Sequence, residues 1–147
     1  MGHLRRVAAA ILIDSGGRML IAKRPEGGSL AGFWEFPGGK VEETEEPLEA
    51  LERELREELG ISGVRGELIR SERNTYGPDR FEVDYFIVKE WSGRVASSHY
   101  ADLRWVSPSE LDRYDHLSGN RDLCDAIAAG EYEPIIRPLP PPHLSEP

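Results

Sequence analysis

Three glutamates, Glu54, Glu57 and Glu58, stand at positions i, i+3 and i+4 of a segment that also carries Arg53 and Arg56. On an α-helix this spacing gathers the carboxylates within about 100° of one another. Like charges crowded in this way repel. The partner that offsets the repulsion is a hard divalent cation, which takes carboxylate oxygens, keeps part of its water shell and bridges to phosphate. Taken alone, the same segment also reads as a solvated Glu- and Arg-rich helix face.

Carboxylates can act together only if a rigid element aims them. Leu48, Leu51, Leu55 and Leu59 form an apolar stripe about a quarter turn from the glutamates. Pro47 suits a first helical turn and Gly60 a C-terminal stop, so a helix is predicted over 47–59. Upstream, residues 4–13 and 18–22 are apolar and flank Asp14-Ser15-Gly16-Gly17, which predicts an antiparallel hairpin. Residues 25–39 are rich in Gly and Pro, hold Phe33, Trp34 and Phe36, and read as one long functional loop with aromatic anchors. Strands are predicted over 63–73, 80–91 and 102–106, the second with Val83, Tyr85, Ile87 and Phe81 on one face. A short helix is predicted to open at Ser107-Pro108 and a second helix to cover 118–129. The domain is expected to span residues 1–132. Residues 133–147 would form a proline-rich tail, since 134–147 hold six of the eleven prolines. Strands interleaved with helices indicate a mixed, mainly antiparallel sheet between helical layers.

Composition narrows the function classes. The chain has 147 residues and a formal net charge of −9, which opposes a grip on polymeric nucleic acid through Lys and Arg. A free nucleotide is still compatible, because cations can sit between carboxylates and phosphate oxygens, and part of the acidic excess falls in residues 42–58. One cysteine, Cys124, excludes an intrachain disulfide and a thiolate metal cluster. With Leu123 and Ile127 as neighbours it reads as a buried, inert thiol. No run of about 18 apolar residues and no secretory leader is recognisable, so a cytoplasmic location and no membrane contact are expected. A monomer or homodimer is expected.

The glutamates belong to a longer pattern: Gly39, five residues, Glu45, seven residues, then Arg53-Glu54-Leu55, one residue, Glu57-Glu58, one residue and Gly60-Ile61. This resembles the box of the Nudix hydrolases at every specified position. Seven exact residues, each at a background of roughly one in fifteen, make a chance match at a given start about 10⁻⁸. The resemblance covers residues 4–130 and implies an α/β/α sandwich that hydrolyses the diphosphate linkage of a nucleotide. It implies that Glu54, Glu57 and Glu58, with the Gly39 carbonyl, hold Mg²⁺, for which Mn²⁺ can substitute. It further implies that Arg53 and Glu45 form an orienting ion pair, and that Glu54 or Glu58 is the base that activates water. Relatives often carry a further Glu on a later loop, where this chain has His99.

Within that family, Ala22-Lys23-Arg24-Pro25 and Trp34 to Glu42 look like the MutT branch, which converts nucleoside triphosphates, 8-oxo-dGTP among them, to monophosphate and pyrophosphate. That likeness implies base contacts from Phe36, Arg80 and Asn120 and a phosphate contact from Arg24. An Asn amide can both donate to and accept from a guanine edge, while an aromatic ring supplies a wall. Ser29 stands where a MutT-like His is expected. Hydrolysis of CTP, a dinucleoside polyphosphate or ADP-ribose, or a non-catalytic nucleotide-binding role, stays open at this point.

Overall fold

A computed structural model describes residues 3–139. In chain order it contains β1 (Leu4–Leu12), β2 (Met19–Lys23), β3 (Trp34–Glu35), β4 (Gly38–Lys40), α1 (Pro47–Leu59), β5 (Ser62–Tyr76), β6 (Asp79–Ser92), β7 (Asp102–Val106) and α2 (Arg121–Ala128). Two 3₁₀ segments, Pro108–Arg113 and Ser118–Asn120, precede α2. One sheet has the order β4-β1-β6-β5 and the other β3-β2-β7. β1 and β6 run parallel, and the other strand pairs are antiparallel.

Alternation along β1 divides the core into two layers. Ala8, Ala10 and Leu12 pack with Leu51, Leu55 and Leu59 of α1, whereas Ala9, Ile11 and Ile13 pack with Leu123, Cys124 and Ile127 of α2. β6 does the same, sending Phe86 and Val88 to the first layer and Tyr85 and Ile87 to the second. Side chains of opposite parity thus meet helices on opposite faces, which makes the α/β/α sandwich.

Two sequence expectations are corrected. The turn after β1 forms, with Asp14 Oδ1 accepting from the Gly16 and Arg18 amides at 3.0 and 2.8 Å, but β1 and β2 are not a hairpin. Both edges of β1 are taken by β4 and β6, so β2 enters the second sheet and only an Ile13–Met19 bridge joins the two strands. The segment 25–39 is not loop throughout either. Its last third forms β3 and β4, and Gly38 pairs with Ala9, Gly39 with Ala8. A Cβ on Gly38 would lie 2.0 Å from the Ala8 carbonyl oxygen, so this glycine marks close backbone approach within a sheet rather than a turn.

The described part of the tail folds back on the body, where Ile136 joins the α2-side core; just before it, the Tyr132 hydroxyl accepts from Arg70 Nη1 at 3.3 Å. The rest of the expected tail, 140–147, lies outside the described residues. Among the described residues no helix is long and apolar enough to cross a membrane.

Because β4 rests on β1 through a position without room for a methyl group, Gly38→Ala should displace β4. It should lower stability by about 1 to 3 kcal/mol, read as a reduced urea midpoint, whereas Gly28→Ala, in open loop, should be nearly neutral.

Candidate active site

Helix α1 is set as its sequence requires. Pro47 occupies the first turn, the Glu46 amide donates to Glu49 Oε1 at 2.8 Å in a capping box, and Gly60 ends the helix at φ 73°. With Leu51, Leu55 and Leu59 fully buried, Glu54 and Glu58 are carried to the flank facing β4. A Cβ on Gly39 would lie 2.3 Å from the carboxyl carbon of Glu54, so only a glycine lets this carboxylate rest against the strand.

Arg53 joins the parts of the box. Its Nε and Nη2 donate to the two oxygens of Glu45 at 2.7 and 2.9 Å, a bidentate fork. Nη1 donates to Glu54 Oε2 at 2.9 Å and Nη2 also to the Lys40 carbonyl at 3.0 Å. Glu45 Oε1 in turn accepts from the Glu42 amide at 2.9 Å. One guanidinium therefore ties together β4, the following loop and α1. The hydrogen bonds from Arg53 hold the Glu45 carboxyl down at about 2 and raise the Arg53 guanidinium in turn.

Glu58 has the opposite environment. Burial pushes it up to about 7; its hydrogen bond from Tyr100 opposes the rise, and the charge of Glu54, a hydrogen bond shared with Glu54 and the charge of Glu35 add to it. The Tyr100 hydroxyl donates to Glu58 Oε1 at 2.7 Å, and His99 Nε2 lies 3.6 Å from Oε2. The Tyr100 hydroxyl is itself raised, first by burial and then by Glu58 and Glu35. Glu35, also raised by burial, pairs with Arg24 Nη1 at 3.1 Å, and Arg24 Nε donates to the Ser29 carbonyl at 3.1 Å.

Glu54 and Glu58, one full turn apart, come together, while Glu57 does not join them. Its side chain is 59% exposed and approaches Arg53 Nη1 only at 3.5 Å. Among the described residues no three acidic, His or Cys side chains converge on one point. The donor set nevertheless fits a hard cation: two carboxylates close enough to share a proton carry an excess of negative charge that a divalent ion offsets.

On the other face of β4 lies a cavity of about 770 Å³, walled by Phe36, Phe81, Val83, Leu30, Arg24 and Asn120. Gly39 borders it, whereas Glu54, Glu57 and Glu58 do not. Phe36 is 3% exposed and meets Tyr85 edge to face, so it serves core and cavity wall together. Asn120 precedes α2 without capping it through its side chain; instead its Oδ1 accepts from the Tyr85 hydroxyl at 2.5 Å. Arg80 departs from expectation: Asp79, Phe81 and Val83 of β6 line the cavity, and Arg80, of opposite parity, is exposed and does not.

Tyr100 and Glu35 join the site without a sequence motif of their own. Tyr100 follows His99 in a loop whose fold, with Ser97 Oγ accepting from the His99 and Tyr100 amides, was not legible in composition. A carboxylate between two aromatics, Trp34-Glu35-Phe36, was the available signal for Glu35.

A family model described as the NUDIX domain matches residues 3–126. The CTP pyrophosphohydrolase of Escherichia coli is 36% identical over 120 residues, covering 82% of this chain and 89% of that protein. The 8-oxo-dGTP diphosphatase of Haemophilus influenzae is 36% identical over 118 residues, covering 80% and 87%. Among solved structures, the E. coli ORF135 protein superposes with a TM-score of 0.78 at 33% identity, covering 90% of this chain and 94% of that one. MutT, from a study of the Aliivibrio salmonicida and Vibrio cholerae proteins, gives 0.73 at 29%, covering 86% and 98%.

A lysine cannot reproduce the Arg53 fork, so Arg53→Lys should leave the helix folded, as circular dichroism reads it, and lower kcat for nucleotide hydrolysis about 10- to 100-fold with a smaller effect on KM. Because the Arg53 pairing depresses the Glu45 carboxyl, its contribution to stability is complete above about pH 4.5 and lost as pH falls toward 2. Glu45→Gln should therefore flatten the acid limb of the melting temperature between those limits.

Proposed function

The chain belongs to the NUDIX family of hydrolases, and from that premise we propose that it hydrolyses 8-oxo-dGTP to the monophosphate and pyrophosphate, clearing an oxidised nucleotide from the precursor pool. The observation that carries this reading is the meeting, across Gly39, of the Arg53-held carboxylates with a cavity large enough for a nucleoside and walled by Phe36 and Asn120. The relatives named 8-oxo-dGTP diphosphatase support it. A second reading, CTP as substrate, is favoured by the E. coli relative of that name.

In this proposal Glu54, Glu58 and the Gly39 carbonyl hold Mg²⁺, with Mn²⁺ able to substitute, and Glu57 completes the set by turning in from the rim. An exposed side chain with one long ion pair rotates at little cost. When bound, the ion neutralises charge on the phosphate oxygens and lowers the pKa of attacking water. Glu58 is the base: its partly buried carboxylate stands beside that of Glu54, placed to take the proton of the attacking water. Tyr100 aims its carboxylate, and His99 Nε2 stands 3.6 Å from the other oxygen. Arg53 and Glu45 keep Glu54 in place, Arg24 meets the phosphates, and Phe36 and Asn120 meet the base. The proposed unit is a catalytic domain over residues 1–132 with a tail over 133–147, acting in the cytoplasm as a monomer or homodimer on a free nucleotide.

A hydrolysis panel of 8-oxo-dGTP, dGTP, CTP, a dinucleoside polyphosphate and ADP-ribose with Mg²⁺ or Mn²⁺ tests the assignment. The expected result is the highest kcat/KM on 8-oxo-dGTP and loss of turnover with chelator; CTP at the top would establish the second reading. Glu57→Gln and Glu58→Gln should each lower kcat by about two orders of magnitude or more with the fold unchanged, and a near-normal rate in either would remove that glutamate from the machinery.

A further inference from the structure

The amide of Asn120 has a defined orientation, fixed by a residue that does not itself border the cavity. Tyr85 sits in the middle of β6, opposite Ala9 of β1 and Arg70 of β5, and is fully buried. Its hydroxyl stands 2.5 Å from Asn120 Oδ1 and 3.2 Å from the Gly119 carbonyl oxygen. The shorter distance falls in the range of O–H···O bonds and below that of N–H···O bonds, so the atom facing Tyr85 is the amide oxygen and the tyrosine is the donor. Asn120 occupies the residue before α2 with φ −99° and ψ −6°, helical rather than extended, so its side chain makes no cap and is left to this one contact. With Oδ1 turned to Tyr85 and one of its lone pairs taken, the group that Asn120 turns toward the cavity is Nδ2, a donor.

We propose that Tyr85 is a positioning residue for base selectivity: it locks the Asn120 amide with Nδ2 toward the cavity, so that the site favours bases with an oxo group at the recognised edge over bases with an amino group there. An oxo group accepts from Nδ2. An exocyclic amino group in the same place meets donor with donor and leaves both desolvated groups unpaired. The inference rests on the nucleotide reading above and deepens it, because an unlocked amide could turn over and accept either edge, whereas a locked one cannot. It also separates the two proposed substrates, since guanine and its oxidised form carry an oxo group where cytosine carries an amine.

Matched substrates that differ in this group and in the proton on the ring nitrogen beside it test it in the full-length protein with Mg²⁺: dITP against dATP, and dUTP against dCTP. The wild-type protein should favour the oxo member of each pair by about tenfold in kcat/KM, carried by KM. Tyr85→Phe keeps the ring, and with it the edge-to-face contact to Phe36 at 6.2 Å. It should bring both ratios to within about threefold while kcat for the oxo substrates holds. Asn120→Asp, which keeps an acceptor for Tyr85 and replaces the donor with an acceptor, should move preference toward the amino members; it carries the test if Tyr85→Phe melts early. Unchanged ratios in Tyr85→Phe, or no oxo preference in the wild type, would overturn the inference. Asn120→Ala keeps the two levels apart. If it changes KM while Tyr85→Phe leaves the ratios intact, the base contact stands and only the lock falls; if it changes no KM, the base contact falls as well.

Discussion

The arrangement depends on one guanidinium. Arg53 donates to Glu45, Glu54 and the Lys40 carbonyl, which come from three successive pieces of chain that no backbone ladder joins to one another. Loop 41–46 has no regular structure of its own, and Glu45 would otherwise be an exposed side chain before a helix cap. The fork gives this loop a fixed end and fixes the side chain of Glu54 relative to β4. A planar, permanently charged group with donors in a fixed fork can do this, whereas an ammonium at the end of a flexible stem cannot.

The second constraint is steric. Gly38 and Gly39 let β4 lie against β1 on one side and the Glu54 carboxylate on the other. A strand of three residues is thereby the partition between two chemically different spaces. One is acidic and belongs to α1; the other is mostly apolar and belongs to the second core layer. Their separation follows from the alternation of β1 and β6, which sends odd and even residues to different helices.

Electrostatics within the acidic space is uneven by construction. Glu45 is held anionic by a cation in direct contact, while Glu58, one helical turn beyond Glu54, is buried beside other carboxylates and moves toward neutrality. Two glutamates of one motif are thus moved in opposite directions, one lowered by its hydrogen bonds from Arg53 and the other raised by burial and by Glu54.

The sequence by itself determined the local elements and the box. Helix α1 was legible because its leucine stripe, Pro47 and Gly60 are local signals that agree, and the long strand β6 was legible through Val83, Tyr85 and Ile87 on one face. The family followed from nine positions whose spacing is fixed by one loop and one helix. Tertiary structure decided whatever depends on which strand neighbours which. The turn at Asp14 was readable, yet β2 left for another sheet because both edges of β1 were taken. The glycines of β4 looked like loop because close backbone approach and turning demand the same residue. Arg80 fell on the wrong parity for the cavity, Glu57 faced outward, and Tyr85 reached Asn120 across 35 residues of chain. Long-range contacts of this kind leave no periodic trace in sequence, since they are set by packing between elements rather than by the conformational preferences within one.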